Sequence, residues 1–353
     1  MTVRLGSLSI GQSNHPVIVA ELSGNHNGSL SRVLEMVEAI AASGAQAVKL
    51  QTYTPDTMTL NVVENEFLIS DQSSPWHGEN LYALYKRAQT PWEWHEPIFR
   101  RARQLGLVVF STPFDATAVE FLETLDVPVY KVASFENTDL PLIRKIAETR
   151  KPMIVSTGMA TLEELDETVR TVRAAGCRDL ILLKCTSTYP TSPGDSHLLT
   201  IPHMRARFNC EVGLSDHTVG IGVSVAAVAL GAAMIEKHVT LSRRDGGVDS
   251  AFSLEPHELT MLVTETHRAW EALGQVRYGP TEAEKNSLPY RRSLYIAQDM
   301  KVGDKLTQDN LRVIRPGRGL APKHYEQVLG RRVVRDVKRG TPVSWGLLGE
   351  ATT

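Results

Sequence analysis

The chain has 353 residues, which is long for one domain but suits a barrel of about 250 residues plus a small module. Its formal net charge is −2, so charge gives no reason to expect nucleic acid or an anionic membrane as a partner. No apolar stretch is long enough to cross a bilayer, and no signal-peptide core is visible. Three cysteines without Cys-x-x-Cys spacing argue against a disulfide framework. We expect a reduced, soluble, cytoplasmic protein.

Eight short apolar runs, most of which end in a polar residue, punctuate the first 240 residues. They cover residues 17–21, 47–51, 107–112, 129–134, 153–157, 180–186, 211–217 and 233–238. Helical periodicity fills several of the gaps, for example at residues 30–43, 91–105 and 161–176. Eight strand–helix units close a (β/α)8 barrel, whose active site lies at the C-terminal ends of the strands. We predict an α/β fold, a TIM barrel over residues 1–280.

Residues 52–85 interrupt this alternation. They are rich in Asn, Ser, Pro and Gly, and they follow the second predicted strand at the functional end of the barrel. A loop of this length in a compact domain is usually functional or disordered. We predict that this segment forms part of the substrate pocket or its lid.

The composition changes after residue 280. Polar, Pro-containing residues 281–290 predict a linker. Short strand-like pieces at 293–297, 311–314 and 332–334, separated by Gly and Asp turns, predict a small, mostly β module over residues 291–353. Most arginines of this module are typical of a solvated surface. For Arg315 and Arg318, the Arg-Pro-Gly-Arg-Gly turn makes recognition an equal alternative.

His217 and His238 end the seventh and eighth predicted strands, which are neighbours in a closed barrel. Two imidazoles at one barrel mouth, with Asp216 and Glu236 beside them, suit a divalent metal with open positions for water or substrate. Mn2+, Fe2+ and Zn2+ all fit such ligands. The alternative is that each is a hydrogen-bonded core histidine. We favour the metal because the two occur as a pair.

Lysines follow apolar residues at the ends of the second and fourth strands. Burying Lys49 and Lys131 unpaired is costly, so an anionic ligand is a natural partner. Hydroxyl donors lie around the same rim, at Thr112, Ser134, Ser156, Thr157 and Ser215. Each hydroxyl alone is more often a strand cap, but together they predict a cradle for a small phosphorylated carboxylate. The competing use of either lysine is as a Schiff-base nucleophile.

Two strand-end carboxylates, Glu21 and Glu136, are candidates for proton transfer or for holding sugar hydroxyls, or they balance the lysines. We expect the Asn25–Gly28 turn to shape the site, with His26 in a structural role. No Gly-x-Gly-x-x-Gly motif follows a strand and no Walker A sequence is present, so dinucleotide and NTP binding have no support.

Long, ordered motifs resemble the sialic acid synthase family of phosphoenolpyruvate-dependent nonulosonic acid synthases. The segments are AELSGNHNG (20–28), AVKLQTYTPDT (47–57), STPFD (111–115), YKVASFE (130–136), STGMAT (156–161), LKCTSTYP (183–190), GLSDHTVGI (213–221) and IEKHVT (235–240). IRPGRGL (314–320) and DVKRGTPVSW (336–345) resemble the family's C-terminal antifreeze-like (SAF) domain. The resemblance covers essentially the whole chain.

This resemblance implies that the chain is a transferase that condenses phosphoenolpyruvate with an open-chain acetamido sugar, giving a nine-carbon 2-keto acid and phosphate. Matched motifs would assign phosphoenolpyruvate binding to Lys49, Thr112, Lys131, Ser134, Ser156, Ser187 and Ser215. They would assign a divalent metal, with Mn2+ favoured and Mg2+ or Co2+ also fitting, to His217 and His238. They would assign sugar and water positioning to Glu21, Glu136, Tyr189 and Asp249. Arg315 would reach the sugar from a partner subunit, which implies a domain-swapped homodimer.

Within that family, the segments QTYTPDT, TPWEW, ASFE and DGGVDSAFSLEP are most similar to pseudaminic acid synthases. Sialic acid synthases proper usually have Asn where this chain has Ser187, and Gly where it has Phe135. Both departures favour a 6-deoxy diacetamido sugar, 2,4-diacetamido-2,4,6-trideoxy-L-altrose, over N-acetylmannosamine. Legionaminic and N-acetylneuraminic acid synthases are the nearest alternatives. A Schiff-base aldolase and an ice- or glycan-binding protein are more distant ones.

Overall fold

A computed structural model describes residues 2–72 and 74–349 of the chain. The chain divides into two compact units, Met1–Gly274 and Gln275–Thr353. Among the helices that the structure describes, none combines the length and apolar character needed to cross a membrane. The first unit begins with an antiparallel hairpin of β1 (Val3–Leu5) and β2 (Leu8–Ile10).

Eight parallel strands then form a closed barrel in chain order, with the last strand paired to the first. They are β3 (Val17–Glu21), β4 (Ala47–Thr52), β5 (Val108–Pro113), β6 (Tyr130–Val132), β7 (Met153–Ser156), β8 (Leu180–Cys185), β9 (Glu211–Asp216) and β10 (Met234–His238). Every strand end lies within two residues of the predicted run. The predicted (β/α)8 barrel is confirmed.

Among the described residues, ten helices lie between or after the barrel strands, and most of them cover the outside of the barrel. They are α1 (Leu30–Ala42), α2 (Pro55–Met58), α3 (Leu81–Ala88), α4 (Trp92–Gln104), α5 (Ala116–Thr124), α6 (Leu140–Glu148), α7 (Leu162–Ala174), α8 (Thr200–Phe208), α9 (Gly222–Ala229) and α10 (Pro256–Leu273). The helix starts follow local chemistry. Thr161, for example, accepts a hydrogen bond from the Glu164 amide, and the Glu164 carboxylate accepts one from the Thr161 amide, a capping box.

Side-chain alternation along the strands separates two apolar clusters. Outward residues such as Ile18, Val48 and Leu182 pack beneath the helices. Inward residues such as Val19 and Phe110 fill the barrel interior. Because successive strand residues face opposite sides, the polar residues at the C-terminal ends that share the inward phase converge above this apolar filling.

The N-terminal hairpin belongs to the interior cluster. Its Val3, Leu5 and Ile10 are buried together with inward residues of the barrel, among them Val108 and Met234. The hairpin therefore caps the barrel at the N-terminal ends of its strands. Sequence periodicity did not indicate it, because three-residue strands are too short to show alternation.

Residues 52–85, predicted as a long insert, contain α2, the start of α3 and a 3₁₀ turn at Asn65–Phe67. Between them, the chain pairs with itself at Leu68 and Asn80. The Asn80 side chain donates to the carbonyls of Val62 and Phe67, which ties the segment together. The segment is thus ordered by its own hydrogen bonds. Ser73, within the predicted insert, lies outside the described residues.

The second unit contains the antiparallel strands β11 (Ser293–Ile296) and β12 (Leu311–Ile314), and the short helices α11 (Glu282–Lys285) and α12 (Tyr325–Val328). Its own core includes Leu294, Leu311 and Val343. The predicted strand at 332–334 was wrong. Arg332 pairs singly with Lys305, and Val333 pairs singly with Leu348, so neighbouring residues bridge to different segments and no continuous ladder forms.

Candidate active site

A cavity of about 750 Å³ opens at the C-terminal ends of the barrel strands. A volume of this size suits a small-molecule site. Its lining includes most of the side chains that the sequence predicted for the site, namely Lys49, Lys131, Ser134, Phe135, Glu136, Ser156, Ser187, Tyr189, Ser215, His217, His238 and Asp249. Glu21 and Thr112 lie behind this lining, fully buried.

Lys49 links the cavity to these two buried residues. Its Nζ lies 2.5 Å from Glu21 Oε2 and donates to Thr112 Oγ1 at 3.3 Å. Glu21 Oε1 also accepts hydrogen bonds from the Ser23 amide and from Gln51 Nε2. Glu21 is therefore placed to hold Lys49 in position. This is the charge-balancing role that the sequence left open.

Lys131 lies at the neighbouring part of the cavity floor. Its Nζ donates to Ser156 Oγ at 2.7 Å and lies 3.8 Å from Glu236 Oε1. The same Glu236 oxygen lies 3.7 Å from Lys49 Nζ and accepts a hydrogen bond from Ser215 Oγ. One carboxylate thus lies between the two lysines. Glu236 was noted in the sequence beside the histidines but was not predicted as a site residue.

Burial and charge act against each other on these groups. Burial raises the pKa of Glu21 above its ordinary value even though Lys49 opposes the change. Although burial also disfavours a charged lysine, Glu21 and Glu236 hold the pKa of Lys49 above its usual range. Burial lowers the pKa of Lys131, while the two lysines overcome burial and hold the pKa of Glu236 low. Lys49 thus stays charged beside its partner carboxylate.

Two serines form an adjacent part of the wall, and a glycine packs against them. Ser187 Oγ donates to Ser134 Oγ at 2.8 Å. Gly158 has a φ of +48°, and a Cβ there would lie 2.5 Å from Ser134 Cβ and 2.8 Å from Ser187 Oγ. Only glycine therefore fits at this position. The hydroxyls and Lys131 surround a polar recess suited to an anion.

His217 and His238 lie next to each other, with ring centroids 5.3 Å apart. Nδ1 of His217 is 2.9 Å from the Thr186 carbonyl, which fixes Nε2 as the nitrogen available to a metal. Nδ1 of His238 is buried and has no hydrogen-bond partner in the part of the chain that the structure describes, and it lies 3.7 Å from Asp249 Oδ2. Burial holds the pKa of His238 well below its ordinary value, so the ring is neutral. These residues fit a divalent cation.

Metal binding by these two histidines stays a prediction. Among the residues that the structure describes, no cluster of three or more His, Cys, Asp or Glu side chains could hold a metal ion. Two histidines would leave several coordination positions for water or substrate, as the sequence predicted. Asp216 does not take part, because its side chain pairs with Lys237 at 2.9 Å and accepts from Ser224. Residues 216 and 237 have the outward phase of their strands, whereas 217 and 238 face inward.

Two further carboxylates line the cavity. Burial raises the pKa of Glu136 to about 7, and its Oε2 has no hydrogen-bond partner among the described residues. Burial raises the pKa of Asp249 to about 6, although a hydrogen bond from Ser23 Oγ opposes the change. Both groups titrate near neutral pH, which suits proton transfer or strong hydrogen bonding to hydroxyls.

Aromatic residues occupy the outer part of the cavity. The Tyr189 ring lies 4.5 Å from that of His217 and 5.8 Å from that of Trp76. Phe135 is 59% exposed at the mouth, beside Glu136. Trp76, Gln51 and Cys185 also line the cavity and were not predicted. Strand alternation could have identified two of them, because Gln51 lies two residues after the inward Lys49 on β4 and Cys185 lies two residues after the inward Leu183 on β8. No local signal marks Trp76.

The remaining predicted residues have other placements. Arg315 is exposed, directly after β12 in the second unit. His26 Nε2 donates to the Ala88 carbonyl, and its Nδ1 accepts from the Gly28 amide, which agrees with the structural role expected for it.

Family models match both parts of the chain. One described as the NeuB family matches residues 36–278, and one described as the SAF domain matches residues 291–348. The first match alone spans more than half of the chain. The chain belongs to the NeuB family. The resemblance to sialic acid synthases seen in the motifs is thereby confirmed, as is the small C-terminal SAF domain.

Several NeuB-family relatives are similar over nearly their whole length. The pseudaminic acid synthases of Helicobacter pylori and Campylobacter jejuni are 44% and 43% identical to this chain; each match covers 93% of it, and 96% and 95% of those proteins. The N,N'-diacetyllegionaminic acid synthase of Campylobacter jejuni is 33% identical, covering 91% and 97%. The solved N-acetylneuraminic acid synthetase of Leptospira borgpetersenii, in complex with citrate, gives a TM-score of 0.73 at 30% identity, covering 82% and 95%.

Proposed function

We propose that this NeuB-family protein is a pseudaminic acid synthase. It condenses phosphoenolpyruvate with 2,4-diacetamido-2,4,6-trideoxy-L-altrose, giving pseudaminic acid and phosphate. The observation that carries the proposal is the pairing of two buried lysines with two adjacent histidines around one cavity, in a chain 43–44% identical to pseudaminic acid synthases. A carbohydrate-binding protein would not require this buried charge.

Phosphoenolpyruvate binds at the inner end of the cavity in this proposal. Lys49 and Lys131 neutralise its negative charge, and the hydroxyls of Ser134, Ser156 and Ser187 donate to its oxygens. Thr112 and Ser215 hold Lys49 and Glu236 in place through the hydrogen bonds described above. The anion thus replaces part of the interaction that Glu21 and Glu236 make with the lysines.

The open-chain sugar places its aldehyde beside His217 and His238. A divalent metal held by these histidines, with Mn2+ favoured and Mg2+ or Co2+ as alternatives, would polarise the aldehyde as a Lewis acid. Carbon 3 of phosphoenolpyruvate attacks the aldehyde carbon. Water adds at carbon 2, and the tetrahedral intermediate expels phosphate by C–O cleavage.

Carboxylates at the mouth orient the sugar and the attacking water. Glu136 and Asp249, with pKa values of about 7 and 6, can each hold or release a proton at neutral pH. Tyr189 and Phe135 border the sugar. Glu21 contributes through Lys49. We also propose that Arg315 reaches the sugar's acetamido group from a partner subunit in a domain-swapped homodimer.

We further propose that the barrel domain comprises residues 1–280 and the SAF domain residues 291–353, joined by a linker at 281–290. We expect the protein to be cytoplasmic.

Phosphate release from phosphoenolpyruvate in the presence of Mn2+ tests the proposal. Three sugars are compared: the diacetamido altrose, the corresponding legionaminic acid precursor and N-acetylmannosamine. We expect turnover with the altrose sugar. Turnover only with another sugar would keep the reaction and replace the substrate, whereas no release with any of them would contradict a synthase.

A further inference from the structure

The cavity has two chemically different halves. Its inner half carries the lysines, hydroxyls and histidines, whereas much of its outer half comes from residues 53–88, which follow β4. This segment presents mainly apolar side chains to the cavity, including Met58, Ile69, Trp76 and Leu84. We call these four residues the apolar wall. A reactant held at the inner end must extend along this wall.

Trp76 is held firmly in the wall. The chain on either side of it is closed by backbone hydrogen bonds from Ile69 to Glu79 and from Gly78 to Ile69, at 3.0 and 2.8 Å. The indole Nε1 donates at 3.0 Å to the carbonyl of Val248, a residue that also lines the cavity. Because its polar atom is satisfied, the ring offers an apolar face to the cavity.

Trp76 is connected to the histidine pair through the ring of Tyr189. Its ring centroid is 5.8 Å from that of Tyr189, which is 4.5 Å from that of His217. Two ring contacts therefore separate the indole from a proposed metal ligand. A sugar whose aldehyde lies at the histidines would place its remaining carbons against Trp76.

We propose that Trp76 determines sugar specificity by packing against the methyl groups of a deoxy, diacetamido sugar. This inference rests on the proposed function. The trideoxy altrose carries a C6 methyl and two acetamido methyls, whereas N-acetylmannosamine carries one acetamido methyl and a hydroxymethyl group. An apolar surface favours the former, because a hydroxyl placed against it loses its hydrogen bonds to water.

Single substitutions test this role, with a matched tryptophan as control. Trp270 is also partly buried, and its Nε1 donates to the Gln12 carbonyl at 2.9 Å, but it does not line the cavity. We expect Trp76→Ala to reduce the ratio of kcat/KM for the trideoxy altrose over N-acetylmannosamine by roughly ten- to a hundred-fold. The KM for the altrose should rise while that for phosphoenolpyruvate stays constant. Trp76→Phe should retain most of the ratio, and Trp270→Ala all of it.

A binding measurement separates this inference from the proposed function. Saturation-transfer NMR with the trideoxy altrose should show strongest transfer to its methyl protons with the wild-type protein, and loss of that pattern with Trp76→Ala only. If the wild-type protein releases no phosphate with any sugar, the synthase proposal fails and the NMR pattern still tests the wall. An unchanged kcat/KM ratio in Trp76→Ala, or methyl transfer equal in the variant and the wild type, would overturn the inference.

Discussion

Glu21 Oε2 lies 2.5 Å from Lys49 Nζ, and the two side chains are 0% and 5% exposed. The pair is set by strand register, because Glu21 on β3 lies directly opposite Lys49 on β4. A buried ion pair gives little net stability, but removal of one partner leaves the other charge buried and unpaired. The glutamate therefore fixes both the position and the charge of a lysine proposed to bind phosphoenolpyruvate.

Replacement of Glu21 should destabilise the fold. We expect Glu21→Ala to lower the free energy of unfolding by about 3–5 kcal/mol, and Glu21→Gln by less, because the amide can still accept from Ser23 and Gln51. Urea unfolding followed by circular dichroism measures this. Glu96→Ala breaks an exposed pair with Arg100 and should cost less than about 1 kcal/mol. Equal losses in Glu21→Ala and Glu96→Ala would contradict the role of the buried pair.

The buried carboxyl of Glu136 should make stability depend on pH. Its pKa is about 7 in the folded protein against an ordinary value of 4.5, so between these pH values the folded state binds more protons than the unfolded state. Stability then falls as pH rises through this window, by at most about 1.4 kcal/mol per pH unit. In Glu136→Gln this contribution disappears. The free energy of unfolding of the variant should therefore rise relative to that of the wild type between pH 4.5 and 7, and the difference between the two proteins should stay constant above pH 7.

Chemical unfolding at a series of pH values gives that difference. Asp249→Asn provides a comparison, because its window runs from 3.8 to about 6. If the difference in unfolding free energy between Glu136→Gln and the wild type does not change between pH 4.5 and 7, this carboxyl is not held protonated by burial.

Metal binding by the paired histidines predicts a joint loss of metal and activity. EDTA should abolish phosphate release and Mn2+ should restore it. His217→Ala and His238→Ala should each lower kcat by about a hundred-fold or more and weaken Mn2+ binding measured by electron paramagnetic resonance. His203→Ala, on an exposed part of α8, serves as the control. Full turnover in EDTA would rule out the metal-assisted reaction.

A Schiff-base aldolase would use Lys131 or Lys49 as a nucleophile, and borohydride distinguishes it from the synthase. With phosphoenolpyruvate and sugar present, we expect borohydride to leave the protein mass unchanged. Lys131→Met should raise the KM for phosphoenolpyruvate, because a charge that neutralises the anion is removed. A covalent adduct at Lys131, absent in Lys131→Met, would instead establish the aldolase.

Arg315 is predicted to act on the sugar and not on phosphoenolpyruvate. Arg315→Ala should raise the KM for the sugar by roughly ten-fold, the loss expected for a charge-assisted hydrogen bond, and leave the KM for phosphoenolpyruvate unchanged. Arg335→Ala removes another exposed arginine of the same unit and should change neither constant. Deletion of residues 291–353 should reproduce the Arg315→Ala effect. A loss confined to phosphoenolpyruvate would contradict the assignment.

The barrel could be predicted because its signal is local. A parallel strand buried on both faces is a continuous apolar run, and here nearly every run ends in a polar residue at the mouth. The same reasoning failed where pairing is not continuous, as at Arg332 and Val333. Alternation could have separated Glu236, which faces the cavity, from Asp216, which does not. The position of Trp76 could not be predicted, because it depends on a hydrogen bond to Val248, 172 residues away.

Because the hairpin caps one end of the barrel, the site is accessible from the other end. Val3, Leu5 and Ile10 fill the barrel at the N-terminal ends of the strands, so both reactants would enter at the C-terminal ends. Lys49 and Lys131 are buried at the inner end of the cavity, whereas Trp76 and Phe135 line its outer part. In the proposed reaction, the anion would therefore bind before the sugar. Inorganic phosphate would then leave after the nine-carbon acid, so that a fragment of the first reactant to bind would be the last product to leave.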